Sequence, residues 1–221
     1  MLPRILEPEV MDSEGEAIDY DSMDHRDVNE RFAADFLATS PDVSEVLDLG
    51  TGTAQIPIEL CRQEPRARVL GIDLAEAMLV VGRMNVRNAG LEDSIQLQRI
   101  DAKGLPYESG RFSAVISNSI VHHIPDPAAV LAEIARVVRP GGSIFVRDLL
   151  RPLNRDSLLH LVDLYAAGAN EHQRRMFAES LHAALTLDEI RALVAPMGYW
   201  GNCVKQTTDR HWTWSAIRTQ K

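Results

Sequence analysis

Val46-Leu47-Asp48-Leu49-Gly50-Thr51-Gly52-Thr53-Ala54 is the stretch around which the chain is organised. Three apolar residues interleaved with one acid read as a buried strand, and the Gly-x-Gly that follows reads as a tight turn. From Ala54 to Gln63 the composition becomes helical, with Ile56, Leu60 and Cys61 at helical spacing. Pro57 falls in the first turns, where its missing N–H costs little. Strand, glycine turn and helix start together form a nucleotide-cofactor site in open α/β sheets. The glycines admit a ligand close to the backbone, and the helix start offers free N–H groups and positive dipole to an anion. A dinucleotide loop wants a third glycine where Gln55 stands, and a P-loop wants a Gly-Lys-Ser/Thr that does not follow. A purely structural turn could use the same residues, so the other strand ends must decide.

Outward from this stretch, helical spacing of Val28, Phe32, Phe36 and Leu37 predicts a helix from His25 to Ala38. Downstream, Ala67–Ile72 reads as a second strand ending in Gly71-Ile72-Asp73-Leu74, and Ala75–Ala89 as a helix stopped by Asn88-Ala89-Gly90. Ile95–Ile100 is a third strand that delivers Asp101-Ala102, and Arg111–Ser117 a fourth. Pro127–Val138 is helical, Pro140-Gly141-Gly142 breaks it, and Ser143–Asp148 is a fifth strand. This alternation has the spacing of parallel βαβ units. From Asn154 to Ala184 the rhythm changes to helices alone. Thr186-Leu187-Asp188-Glu189 is a capping box that opens a helix to about Met197. Asn202–Lys205 and His211–Ile217 close the chain as two strands, expected to form an antiparallel hairpin at the sheet edge.

With 221 residues, 45% apolar and 25% charged, the chain suits one α/β domain rather than two. The expected division is an acidic arm and lid helix over 1–40, a cofactor-binding half over 43–148, a helical cap over 154–184, and a closing helix and strand hairpin over 186–221. No run of about eighteen apolar residues occurs, so no membrane span is expected. Met1–Glu7 lacks the basic region and long apolar core of a secretory signal. Cys61 and Cys203 are far apart and read as reduced core thiols, which suits a cytoplasmic location. Residues 1–30 hold ten acids against two bases, which accounts for eight of the nine net negative charges. That segment is a solvated arm or a lid over the cofactor, with Tyr20 as its contact. Neither favours nucleic acid, which calls for a basic face.

In a sheet of this kind the ligand lies outside the carboxyl ends of the strands. Asp73, after the second strand, could accept hydrogen bonds from both ribose hydroxyls, or could cap the next helix. Asp101, after the third, could accept from an adenine amino group while the backbone at Ala102 reads the ring edge, or could be an ordinary loop acid.

Together with the glycine stretch, the run from Asp101 to Gly142 resembles the class I S-adenosylmethionine-dependent methyltransferases. Asp101-Ala102, Leu105-Pro106, Phe112, Ser117-Asn118, His122-His123-Ile124-Pro125-Asp126-Pro127 and Arg139-Pro140-Gly141-Gly142 follow the family's order. The likeness covers about residues 43 to 148 and is similar to the small-molecule group that includes the ubiquinone/menaquinone enzymes. Ala54 stands where a third glycine is frequent, and Ser113 where an Asp is usual. The resemblance implies a Rossmann-like fold: a mostly parallel seven-stranded sheet, helices on both faces, and a helical cap after the fifth strand. It implies S-adenosylmethionine held along Asp48, Gly50, Thr51, Gly52, Asp73, Leu74, Asp101, Ala102 and Asn118, with Tyr20 from the lid. The donor's carboxylate suits the N–H groups near Thr53 and Ala54, while its cationic groups suit acids such as Asp48.

The expected reaction is methyl transfer to a small-molecule acceptor by in-line displacement, releasing S-adenosylhomocysteine. His122 and His123 are candidates for the base or for positioning the acceptor; a loop hydrogen bond and a solvent-facing ring are the plainer alternative. Asp148 could face the acceptor or pair with Arg147 or Arg151. No metal is expected, since adjacent histidine side chains diverge and no third ligand lies at a suggestive spacing. The 154–184 segment is the natural cap, with Tyr165 a candidate substrate contact. Its Leu158, Leu159, Leu161, Val162 and Leu164 could equally form a homodimer surface. Two other readings stay open, a cofactor-binding regulator without turnover and a nicotinamide-dependent oxidoreductase; Gln55 argues against the second.

Overall fold

Parallel strands covered by helices on both faces must be apolar on both faces, and the central strands here are. β1 (Val46–Leu49) is buried at every residue. Its side chains alternate: Leu47 and Leu49 enter one core with Ile72, Val115 and Val146, while Val46 enters the other with Ala114, Ile116 and Phe145. Each fully buried aliphatic or aromatic side chain contributes about 1.5–3 kcal/mol. A one-residue slip would exchange the two sets, so the register is strongly specified.

The computed structural model describes residues 2–7, 12–23 and 25–219. A seven-stranded sheet runs β3-β2-β1-β4-β5-β7-β6, with β2 Val69–Asp73, β3 Ile95–Arg99, β4 Phe112–Asn118, β5 Val138–Leu149, β6 Val204–Gln206 and β7 His211–Ile217. β1 pairs in parallel with both β2 and β4, so the strand order reverses beside it. β7 lies antiparallel between β5 and the edge strand β6. The expected seven-stranded, mostly parallel sheet is therefore present, and its switch point is at the glycine stretch.

Helices α3 (Gln55–Gln63), α4 (Glu76–Asn88), α5 (Pro127–Val137) and α8 (Leu187–Val194) fall where periodicity placed them. The Thr186 hydroxyl accepts from Glu189 N–H and the Glu189 carboxylate accepts from Thr186 N–H, completing the capping box. Two boundaries differ from expectation. β5 begins at Val138 rather than Ser143, because Pro140-Gly141-Gly142 forms a register shift inside the strand instead of a break before it. A short 3₁₀ turn occupies Gly201–Cys203, so β6 starts only at Val204.

The described residues of the N-terminal segment include two helices. α1 (Glu14–Ser22) opens with a reciprocal capping box between Ser13 and Glu16 and packs Ala17 against Ala75 and Met78 at the start of α4. α2 (Arg26–Leu37) buries Phe32 and Phe36 against Phe145 of β5. The cap consists of α6 (Arg155–Tyr165) and α7 (Glu171–Ala183). Leu158, Leu161 and Val162 pack against Leu181 and Ala184 within the fold, so only Leu159 and Leu164 of the five leucine-and-valine set remain exposed. Trp212 and Trp214 are fully buried between sheet and helix, whereas Trp200 is exposed. Among the described residues, no helix is long and apolar enough to cross a membrane.

Candidate active site

The turn after β1 is held in an unusual backbone shape. Gly50, Gly52 and Ala54 all adopt left-handed φ, at 68°, 53° and 63°. A Cβ on Gly50 would lie 1.9 Å from Ile120 Cγ2, so no larger residue fits there. Ala54 sits fully buried in a conformation that costs an L-residue roughly 1–2 kcal/mol. The preference for glycine at that position therefore has a backbone cause, and alanine is the least demanding replacement. The turn is tied to β2: Gly50 and Thr51 N–H both donate to Ile72 O at 2.9 Å, and Gly52 N–H donates to Asp73 Oδ2 at 2.9 Å. The other Asp73 oxygen accepts from Ala75 N–H at 2.9 Å. Asp73 thus braces the glycine turn and the entry to α4 as well as bordering the cleft.

A cleft of about 880 Å³, counting its open mouth, lies over the carboxyl ends of the strands. Most of the sequence-predicted residues meet there: Tyr20 from α1, Gly50 and Gly52, Asp73 and Leu74 after β2, Asp101 and Ala102 after β3, Asn118 at the end of β4, and His123. Sequence reading missed Ser119 and Ile120, which border the same space. Ser119 has a left-handed φ of 59°, a strain that no local motif announces. It also missed Lys103, which pairs with Asp101 at 3.2 Å.

Asp48 and Thr51 do not border the cleft; they are buried at the glycine turn. Burial pushes the Asp48 carboxyl up to about 7, and its Oδ2 has no hydrogen-bond partner. Asn118 Oδ1 is likewise buried without a partner. Two buried acceptors lacking donors, with the carboxylates of Asp73 and Asp101 on the cleft wall, fit a ligand that brings ammonium, hydroxyl or amino donors. They do not fit a pyrophosphate. S-adenosylmethionine meets that requirement.

The histidine pair divides. His123 borders the cleft, but His122 is buried behind it. His122 Nδ1 lies 2.5 Å from Asp148 Oδ1. Burial alone would lower the His122 pKa, but the adjacent Asp148 carboxylate raises it above the ordinary imidazole value. Asp148, read as facing the acceptor or pairing with Arg147 or Arg151, is fully buried against His122, while Arg147 pairs with Asp35 and Arg151 with Glu189. The Asp148 oxygens take His122 Nδ1, Val121 N–H at 2.6 Å and Leu149 N–H at 2.6 Å, which clamps the turn between β4 and α5 to the end of β5. Tyr165 is also away from the cleft. Its hydroxyl donates to the Asp209 carboxylate at 2.8 Å, and its ring carries the Arg210 guanidinium. The two imidazoles do not diverge as adjacent side chains were expected to. Their centroids are 4.1 Å apart, because the 3₁₀ turn Val121–His123 folds them to one side.

The protein family described as a methyltransferase domain matches residues 47–146. A ubiquinone/menaquinone biosynthesis C-methyltransferase from Desulfotalea psychrophila is 35% identical over 115 residues, which is 52% of this chain and 45% of that protein. A ubiquinone biosynthesis O-methyltransferase from Acinetobacter baumannii is 30% identical over 139 residues, 62% of this chain and 54% of that protein. The chain thus spans about half the length of these relatives. Among solved structures, an S-adenosyl-L-methionine-dependent methyltransferase from Methanococcus maripaludis superposes with TM-score 0.74 at 17% identity, covering 98% of both chains. One from Aquifex aeolicus gives TM-score 0.68 at 16% identity, covering 94% of this chain and 99% of that one. Residues 47–146 thus match a methyltransferase domain, and the chain has the fold of S-adenosylmethionine-dependent methyltransferases.

Proposed function

We propose that the chain transfers a methyl group from S-adenosylmethionine to a small-molecule acceptor. The observation that carries this reading is the pair of buried donorless acceptors, Asp48 Oδ2 beside the glycine turn and Asn118 Oδ1 at the end of β4, next to a cleft walled by carboxylates. Bound there, S-adenosylmethionine supplies a methyl on a sulfonium that is its own leaving group, so the chain's work is mainly alignment. Correct alignment alone can supply about 7–11 kcal/mol of acceleration.

Gly50 and Gly52 keep the turn open to close approach of the donor's amino-acid end. Asp73 and Asp101 accept from its ribose and base. Tyr20 of α1 closes the cleft from above. His123 is the histidine that meets the acceptor, while His122 acts at one remove by fixing the turn through Asp148. The names of the two relatives make a quinol ring the first acceptor class to test.

Isothermal titration with S-adenosylmethionine and S-adenosylhomocysteine tests the donor half. Methyl transfer to quinols, phenols and amines tests the acceptor half, and His123→Ala should lower kcat more than donor affinity. Failure of the folded chain to bind either donor or product would overturn the reading. Binding without turnover on any acceptor class would leave a regulator.

A further inference from the structure

Three side chains from distant parts of the sequence converge beside the cleft. Among the described residues, Glu7, His122 and His123 place one ligand atom each within 4.8 Å of one another. Glu7 Oε1 lies 3.5 Å from His122 Nε2 and 3.0 Å from His123 Nδ1. With metal–ligand bonds of about 2.0–2.1 Å, neighbouring atoms of a tetrahedral site stand roughly 3.3 Å apart. The two distances from Glu7 are close to that spacing, and the histidine nitrogens lie within 4.8 Å of each other. The Glu7 oxygen is buried between the two rings.

The outer contacts are those that orient metal ligands. Asp148 holds His122 Nδ1 at 2.5 Å, which leaves Nε2 toward Glu7. Ser180 Oγ donates to the second Glu7 oxygen at 3.2 Å. Histidines in metal sites are commonly fixed by a carboxylate in this way. Arg4, the nearby cation, is turned onto backbone: its guanidinium donates to His122 O at 3.2 Å, Ile124 O at 2.9 Å and Ala183 O at 2.7 Å. Glu7 and Asp148 thus place two carboxylates beside the rings.

We propose that Glu7, His122 and His123 bind one divalent transition-metal cation. Two imidazoles and one carboxylate suit zinc, cobalt, nickel or iron(II) better than magnesium or calcium, which prefer all-oxygen sites. Three protein ligands leave a coordination position for water or an acceptor atom, as catalytic rather than structural sites do. His123 also borders the cleft, so the ion lies against the wall where the acceptor half begins.

The test uses the full chain, stripped with a chelator and dialysed against Zn²⁺ or Co²⁺. Metal content is measured by mass spectrometry and Co²⁺ ligation by visible absorption. One equivalent per chain is expected. Glu7→Gln should remove it, and Ser180→Ala should weaken it about tenfold. Circular dichroism on the same samples confirms the fold, and donor titration on them separates this site's failure from failure of the methyl-transfer reading. Glu7→Gln decides even where histidine variants do not fold, since Glu7 lies in residues 2–7, outside every helix and strand. The proposal is overturned if the stripped chain takes up neither ion, or if folded Glu7→Gln keeps full uptake.

Discussion

Asp48 shows how much one buried side chain can couple. Its carboxyl is pushed up to about 7 chiefly by burial, with the Asp73 charge adding to the rise and Thr51 opposing it. An unfolded Asp titrates near 3.9. The folded chain therefore holds this proton over a range where the unfolded chain has lost it. Stability from this group is full below about pH 4, falls as pH rises, and levels off above about 7. Denaturant unfolding measured across that window should show the decline, and Asp48→Asn should flatten it. A cationic donor reverses the preference, because it stabilises the charged carboxylate. Donor affinity should rise with pH through about 7 in the wild type and lose that dependence in Asp48→Asn, as read by calorimetry. Ser113 makes a related point. Where the family usually carries an Asp, the buried Ser113 Oγ donates to Glu45 O and accepts from Glu45 N–H, both at 3.0 Å, so β1 and β4 stay joined without a buried charge.

Elements bring these residues together, and two can be tested singly. Gly50→Ala drives a Cβ against Ile120 at a left-handed backbone, so it should cost at least about 2 kcal/mol. Thermal unfolding measures that cost, and an unchanged midpoint would show the turn free to relax. α1 was legible only in part. Ser13 and Glu16 form a capping box in plain view of the sequence, but the surrounding acidity drew the reading toward an arm. Asp21 accepts from Gln55 Nε2 and Asn85 Nδ2, both at 2.8 Å, so the helix is seated on α3 and α4. Ser13→Ala should cost about 1 kcal/mol within α1. Hydrogen exchange should quicken there, and donor affinity should fall with little change in the global midpoint.

At the scale of the molecule, the N-terminal strap is the part that ties the halves. Leu2 N–H donates to Leu153 O and Ile5 N–H to His182 O, and Arg4 spans from α7 to the turn bearing the histidines. Arg4→Ala leaves those carbonyls without a donor and should destabilise the chain by about 1–3 kcal/mol. Exchange should rise at residues 121–125 and at the end of α7 together; a rise at only one would show the strap is not the link. His122→Ala breaks the buried pair with Asp148 and should cost about 3–5 kcal/mol, seen as a lowered unfolding midpoint. His123→Ala, whose ring is partly exposed at the cleft, should cost far less by the same measurement.

The sequence by itself determined the sheet, its parallel core, the glycine turn and the strand-end residues Asp73, Asp101 and Asn118. Each of these is written locally, in apolar periodicity, in glycine position, or in the residue that follows a strand. Only the tertiary structure decided that Asp148 faces inward to His122, that Tyr165 turns to Asp209, and that Glu7 arrives beside two histidines more than a hundred positions away. Such contacts depend on which surfaces pack together. A strand end records that a carboxylate leaves the sheet, but what it meets is set by the neighbouring strand and by the strap laid across it.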